Sequence, residues 1–166
     1  MYESLSNTWQ LFAEQYPKFM SAYRRLARED WFQEQGWTGF IFHWNRGIGM
    51  GIYKLNWFNH MHDGIHLELV QTEELAEKKM ANLELHLHRE ALGDLRDRMN
   101  ELISPDLERL VDDLGDPFQF RASSSAGKIS ATFKCSPSAF AKIAAERIQQ
   151  LNPVGQIIDN ALNKLA

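Results

Sequence analysis

The chain has 166 residues, 44% hydrophobic and 24% charged, with ten Gly and five Pro: enough apolar material for one folded domain and too little Gly and Pro for low complexity. A net charge of −4 argues against general nucleic-acid binding. The single cysteine, Cys135, excludes an intrachain disulfide and an all-cysteine zinc site.

Residues 4–32 have helical spacing, with Leu5, Trp9, Phe12, Tyr16, Phe19, Tyr23 and Leu26 on one face. Pro17 predicts a break or kink near Tyr16, with the proline opening a second segment. After Gly36 the period changes to two. Thr38–Trp44 and Ile48–Asn56 read as strands around Asn45-Arg46-Gly47, with Phe40, Phe42 and Trp44 on one face and Ile41 and His43 on the other. Gly47, Gly49 and Gly51 do not form a dinucleotide fingerprint, because no helix follows them. They predict a close-packed helix or a bulge.

Ile65–Val70 and Asn82–His88 alternate cleanly between apolar and polar residues, the mark of an antiparallel sheet with one covered face. Thr72-Glu73-Glu74-Leu75 between them is a short helix start or a loop. Residues 90–114 return to helical spacing through Leu92, Leu95, Met99 and Leu102, with Ser104-Pro105 expected to start a new turn. Phe118–Ala122 and Lys128–Lys134 form a hairpin around Ser123-Ser124-Ser125-Ala126-Gly127. Ser136-Pro137 is expected to cap a helix reaching Leu151, and residues 153–165 form an amphipathic helix with Ile157, Ile158, Ala161, Leu162 and Leu165 on one side. That helix must dock on the domain or on a second copy.

Consecutive strands without intervening helices predict an α+β fold rather than a doubly wound one. The expectation is a single domain over residues 1–166. It has an antiparallel, curved sheet of about six strands, with N-terminal, central and C-terminal helices packed mainly on one face. The first residues lack the basic and apolar regions of a signal peptide. No apolar run approaches the roughly 20 residues of a membrane helix. A soluble, cytoplasmic protein with no membrane association follows as the expectation.

All six histidines lie between His43 and His88. Residues two apart on a strand share a face, so His86 pairs with His88 and His66 with Glu68. If the two strands are neighbours, one polar surface collects His66, Glu68, Glu84, His86 and His88. Imidazole and carboxylate are ligands for divalent transition metals, and the candidate metal set is His66, Glu68, His86 and His88. An open position on such a metal would let it acidify bound water. The alternatives are a solvated polar face with cross-strand His–Glu pairs and a pH-sensitive or partner-binding surface. His66-Leu67-Glu68 matches half of a zinc-deaminase signature whose cysteine half is missing. Asp63 with Glu84 and His86 is only faintly like a nuclease carboxylate pair. Cys135 reads as a buried structural thiol, and Arg24, Arg25 and Arg28 as a solvated helix face.

Charge is uneven: residues 68–116 hold 14 acids and 6 bases, a pattern that suits docking of a basic partner. No complete catalytic motif is present. The leading expectation is therefore a non-catalytic protein-binding or regulatory module, with a protein partner or self-association, acting through its acidic or polar surface. The alternative is a metal-dependent hydrolase or oxygenase using the His/Glu cluster.

Overall fold

Period-two segments dominate the middle of the chain and helical segments its ends, and the fold follows that division. The structure, a computed structural model, describes residues 2–44, 46–57, 64–88, 92–122 and 127–166, with side chains from Trp9 onward. Six strands, β1 (Trp37–Trp44), β2 (Gly47–Lys54), β3 (Ile65–Thr72), β4 (Met80–Leu87), β5 (Phe118–Phe120) and β6 (Gly127–Lys134), form one open sheet. Its order is β1-β2-β3-β4-β6-β5, and every neighbouring pair is antiparallel. The described helices are α1 (Tyr2–Leu26), α2 (Asp30–Glu34), α3 (Glu73–Glu77), α4 (Leu95–Leu114), α5 (Phe140–Gln150) and α6 (Val154–Leu165). The α+β class and the antiparallel sheet agree with the sequence, with strand ends moved by a residue or two.

One sheet face is apolar. Ile48, Met50, Ile52, Leu67, Leu69, Leu83, Leu85, Ile129 and Ala131 are buried there, each worth about 1.5–3 kcal/mol for the larger side chains. Tyr23 of α1 reaches this face at Gly39, and Gly155 of α6 lies against Trp37 and Lys54. α5 packs on α1 through Phe140 and Phe19, whose ring centroids are 4.9 Å apart, and α4 packs on α6, β5 and β6. The terminal helix docks within the chain: Val154, Gly155, Ile158 and Ala161 are buried. Among the described residues, no helix is long and apolar enough to cross a membrane.

Several local expectations need correction. α1 runs unbroken through Pro17, and α4 through Pro105. Both prolines are exposed, and buried residues on either side (Gln15 and Phe19, Ile103 and Leu107) hold each helix in register, so packing outweighs the lost hydrogen bond. The buried face of α1 is Leu11, Gln15, Phe19, Ala22 and Leu26, whereas Trp9 and Tyr16 are exposed. The stripe is thus rotated from the one expected. In α4 the buried residues are Met99, Ile103, Leu107 and Val111, and Leu95 faces outward. Thr72 caps α3 by accepting a hydrogen bond from the Leu75 N–H at 3.2 Å, so this segment is a helix. α5 begins at Phe140, later than Ser136-Pro137 implied, with no side-chain cap.

The glycines of β2 face neither a helix nor a bulge. A Cβ on Gly49 would lie 2.5 Å from the ring of Phe42, and one on Gly51 2.6 Å from the ring of Phe40. These rings belong to the adjacent strand and fill the space the glycines leave, as aromatic side chains do beside glycine in sheets. Asn45 and the 123–125 turn lie outside the described residues.

Candidate metal centre

The strand register builds the site. His66 sits directly across from His86, and Glu68 from Glu84. All four therefore project from the sheet face opposite the helices, and His88, two residues beyond His86, follows them. The His88 N–H donates to the Gly64 carbonyl at 3.3 Å, which continues the alignment past the end of β4. A register irregularity against β6 falls between Leu85 and His86, the kind of kink that re-aims a side chain beside a functional site.

The three imidazoles stack nearly parallel. Ring centroids are 5.6 Å apart for His66 and His86 at 3°, 5.2 Å for His66 and His88, and 5.4 Å for His86 and His88. One ligand atom from each of His66, Glu68, His86 and His88 lies within 4.8 Å of the others. Metal–nitrogen and metal–oxygen bonds of about 2.0–2.2 Å place tetrahedral ligand atoms roughly 3.4 Å apart, so movements on the order of an ångström close the set. His66 is buried, while Glu68 and His86 keep side-chain exposures of 20% and 16%. The cluster is therefore open to solvent from one side.

Each strand supplies one His–Glu hydrogen bond. His66 Nε2 is 3.1 Å from Glu68 Oε2, and His86 Nε2 is 3.0 Å from Glu84 Oε2. Both histidines thereby leave a buried Nδ1 with no hydrogen-bond partner among the described residues. Burying such an atom costs about 1–3 kcal/mol. The histidines also decide the charge of the acids. Burial pushes the Glu68 carboxyl up, but the His66 bond and the charges of His86, His66 and His88 prevail and hold it below the usual range. The His86 bond lowers Glu84 against its own burial, helped by Asn82 and Arg121. Burial lowers His86, and the Glu84 bond with the charges of Glu68 and Glu84 outweighs it, leaving the imidazole more basic than usual.

All four sequence-predicted site residues are thus in one place. His43 lies on the other face against the rings of Trp9 and Phe12. His60, His62 and Asp63 lie outside the described residues. Cys135 is buried, and burial raises its thiol to about 11. Arg24 and Arg25 are exposed in the last turn of α1, where cations offset the helix dipole.

Sequence reasoning missed the support behind His86. Asn82 Nδ2 donates to Glu84 Oε1 at 2.9 Å, Thr132 Oγ1 donates to Asn82 Oδ1 at 3.1 Å, and Arg121 Nη1 lies 3.5 Å from Glu84 Oε1. Alternation alone places Asn82 on this face. Arg121 follows the end of β5 and Thr132 lies on β6, and no local pattern reveals where these strands sit relative to β4. In comparisons with known proteins, no family model, curated protein or solved structure matches the chain.

Proposed function

We propose that the protein binds one divalent transition-metal ion through His66, Glu68, His86 and His88 and uses it on a small substrate, in a hydrolase- or oxygenase-type reaction. The observation that carries this reading is the convergence of three imidazoles and a carboxylate within 4.8 Å on the open face of the sheet. The partnerless Nδ1 of His86 supports it, since a metal would satisfy a buried lone pair that otherwise costs stability. Exposure on one side leaves a route for water to a remaining coordination position, where the metal would acidify it.

The rival reading, a non-catalytic protein-binding module, drew on the terminal helix and on the acidic surface. α6 docks mostly inside the chain, with Val154, Ile158 and Ala161 buried and Ile157, Leu162 and Leu165 half-buried. What remains is acid exposed on α3 and α4, such as Glu73, Glu74, Asp112 and Asp113, which any solvated helix presents. The metal reading has the more specific support.

The test is elemental analysis of untagged, gel-filtered protein, with the melting temperature recorded before and after chelation. Near-stoichiometric metal and a lower melting temperature after chelation are expected. The paired substitutions His86→Ala and His88→Ala should abolish metal retention and leave the circular dichroism unchanged. Metal-free protein whose melting temperature ignores added zinc, manganese and ferrous iron would overturn the proposal.

A further inference from the structure

Two glutamates face each other across β3 and β4, each bonded to a histidine, yet their surroundings differ. Glu84 has both oxygens engaged: Oε2 by His86, and Oε1 by Asn82 at 2.9 Å with Arg121 at 3.5 Å. Asn82 is itself held by Thr132. The single hydrogen bond described for the Glu68 carboxylate is the one from His66, and Glu68 alone of the two acids belongs to the four-residue group. Room for the Glu84 carboxylate comes from Gly127 on β6, where a Cβ would lie 2.9 Å from Oε2.

We infer that Glu84 is a positioning residue: held by Asn82 and Arg121, it keeps His86 in the Nε2–H tautomer and so presents the Nδ1 lone pair to the metal. Glu68, by contrast, is the carboxylate left to ligate. This inference rests on the metal reading for its consequence, but its structural content concerns the metal-free protein. A carboxylate accepts only, so the nitrogen facing it must carry the proton. A carboxylate behind a metal-binding imidazole fixes its tautomer and orientation, and loss of that partner typically lowers metal affinity about 10–100-fold.

The substitution Glu84→Gln reverses the logic with little change in shape. Asn82 and Arg121 both donate toward the Oε1 position, so they claim the amide oxygen. The amide NH2 then faces His86 Nε2 as a donor and moves the imidazole proton to Nδ1. Nitrogen-15 NMR of the imidazoles in metal-free protein, at about pH 9 where histidine is neutral, reads this directly. His86 is expected as the Nε2–H tautomer in the wild type and shifted toward Nδ1–H in Glu84→Gln, whereas Glu68→Gln leaves His86 unchanged. A Zn2+ competition titration against a chelator should show a 10–100-fold loss for Glu84→Gln. Gly127→Ala, which crowds the Glu84 carboxylate, should shift the tautomer in the same direction.

An unchanged His86 tautomer in Glu84→Gln overturns the inference, and so does a tautomer change that leaves zinc affinity intact. If the wild type binds no metal, the proposed function fails, while the tautomer spectra still decide whether Glu84 positions His86.

Discussion

Glycine and its neighbours give the sharpest expectations for single residues. A Cβ on Gly39 would meet the Gly51 carbonyl oxygen at 2.6 Å as well as Ile52 and Tyr23, whereas one on Gly51 meets only the ring of Phe40 closely. Backbone cannot yield, but a ring on the open face can turn aside. Gly39→Ala is therefore expected to destabilise by about 1–3 kcal/mol as an overpacked site, and Gly51→Ala by distinctly less, as read by urea unfolding. Asp159 offers a pH test. Its carboxylate accepts from Lys54 Nζ at 2.7 Å, Trp57 Nε1 at 2.8 Å and Asn56 Nδ2 at 3.3 Å. Burial raises it, but the bonds from Lys54 and Trp57 prevail and hold it below the usual range. A group depressed in the folded state contributes stability above its unfolded pKa, near 3.9, and loses it as pH falls through the folded value. The stability gap between wild type and Asp159→Asn, about 1–2 kcal/mol at neutral pH, should thus shrink below about pH 4. Cys135, with its thiol raised to about 11, should resist iodoacetamide in the native protein at mildly alkaline pH and react once urea unfolds the chain.

Among the elements, α1 carries an internal proline on its exposed side, and the buried face around it is continuous. An interior proline removes a backbone hydrogen bond and crowds the preceding turn, at a cost near 3 kcal/mol. Pro17→Ala should therefore raise stability by about 1–3 kcal/mol, visible as a higher urea midpoint; a lower midpoint would show that the proline is needed where it stands. The strands were legible because alternation is local: in β3 and β4 each residue declares its face by its neighbours two away. The helix faces were less so. Trp9 and Tyr16 look apolar in sequence, yet Leu11, Gln15 and Ala22 hold the interior of α1 instead. The aromatic stripe through Trp9 and Tyr16 and the buried stripe through Leu11, Gln15 and Ala22 lie a partial turn apart and share Phe19 and Leu26, and only tertiary packing decides between them. The metal ligands were legible for the same reason as the strands. Their support was not, because Arg121 reaches Glu84 and Thr132 reaches Asn82 only through the β4-β6-β5 order.

At the scale of the whole molecule, the helices lie on the apolar face and the candidate centre on the other. The two are separated by the thickness of one sheet, so damage to either should be separable. Removing His86 and His88 leaves the core contacts of Leu83, Leu85 and Leu87 untouched, and the fold should survive with metal retention lost.

The β3–β4 pairing has one more consequence. Residues 66–88 carry all four side chains, joined only by the short helix α3, while the pairing of β4 with β6 spans the chain from Met80 to Lys134. Contacts close in sequence form with a small loss of chain entropy, and distant ones wait. The histidines and Glu68 are thus expected to meet before β6 arrives with Gly127 and Thr132 to steady Glu84 and Asn82. In pulse-labelled amide exchange during refolding, His86 and Glu68, whose amides point across the β3–β4 pair, should be protected ahead of Ala131, whose amide points from β6 to β4.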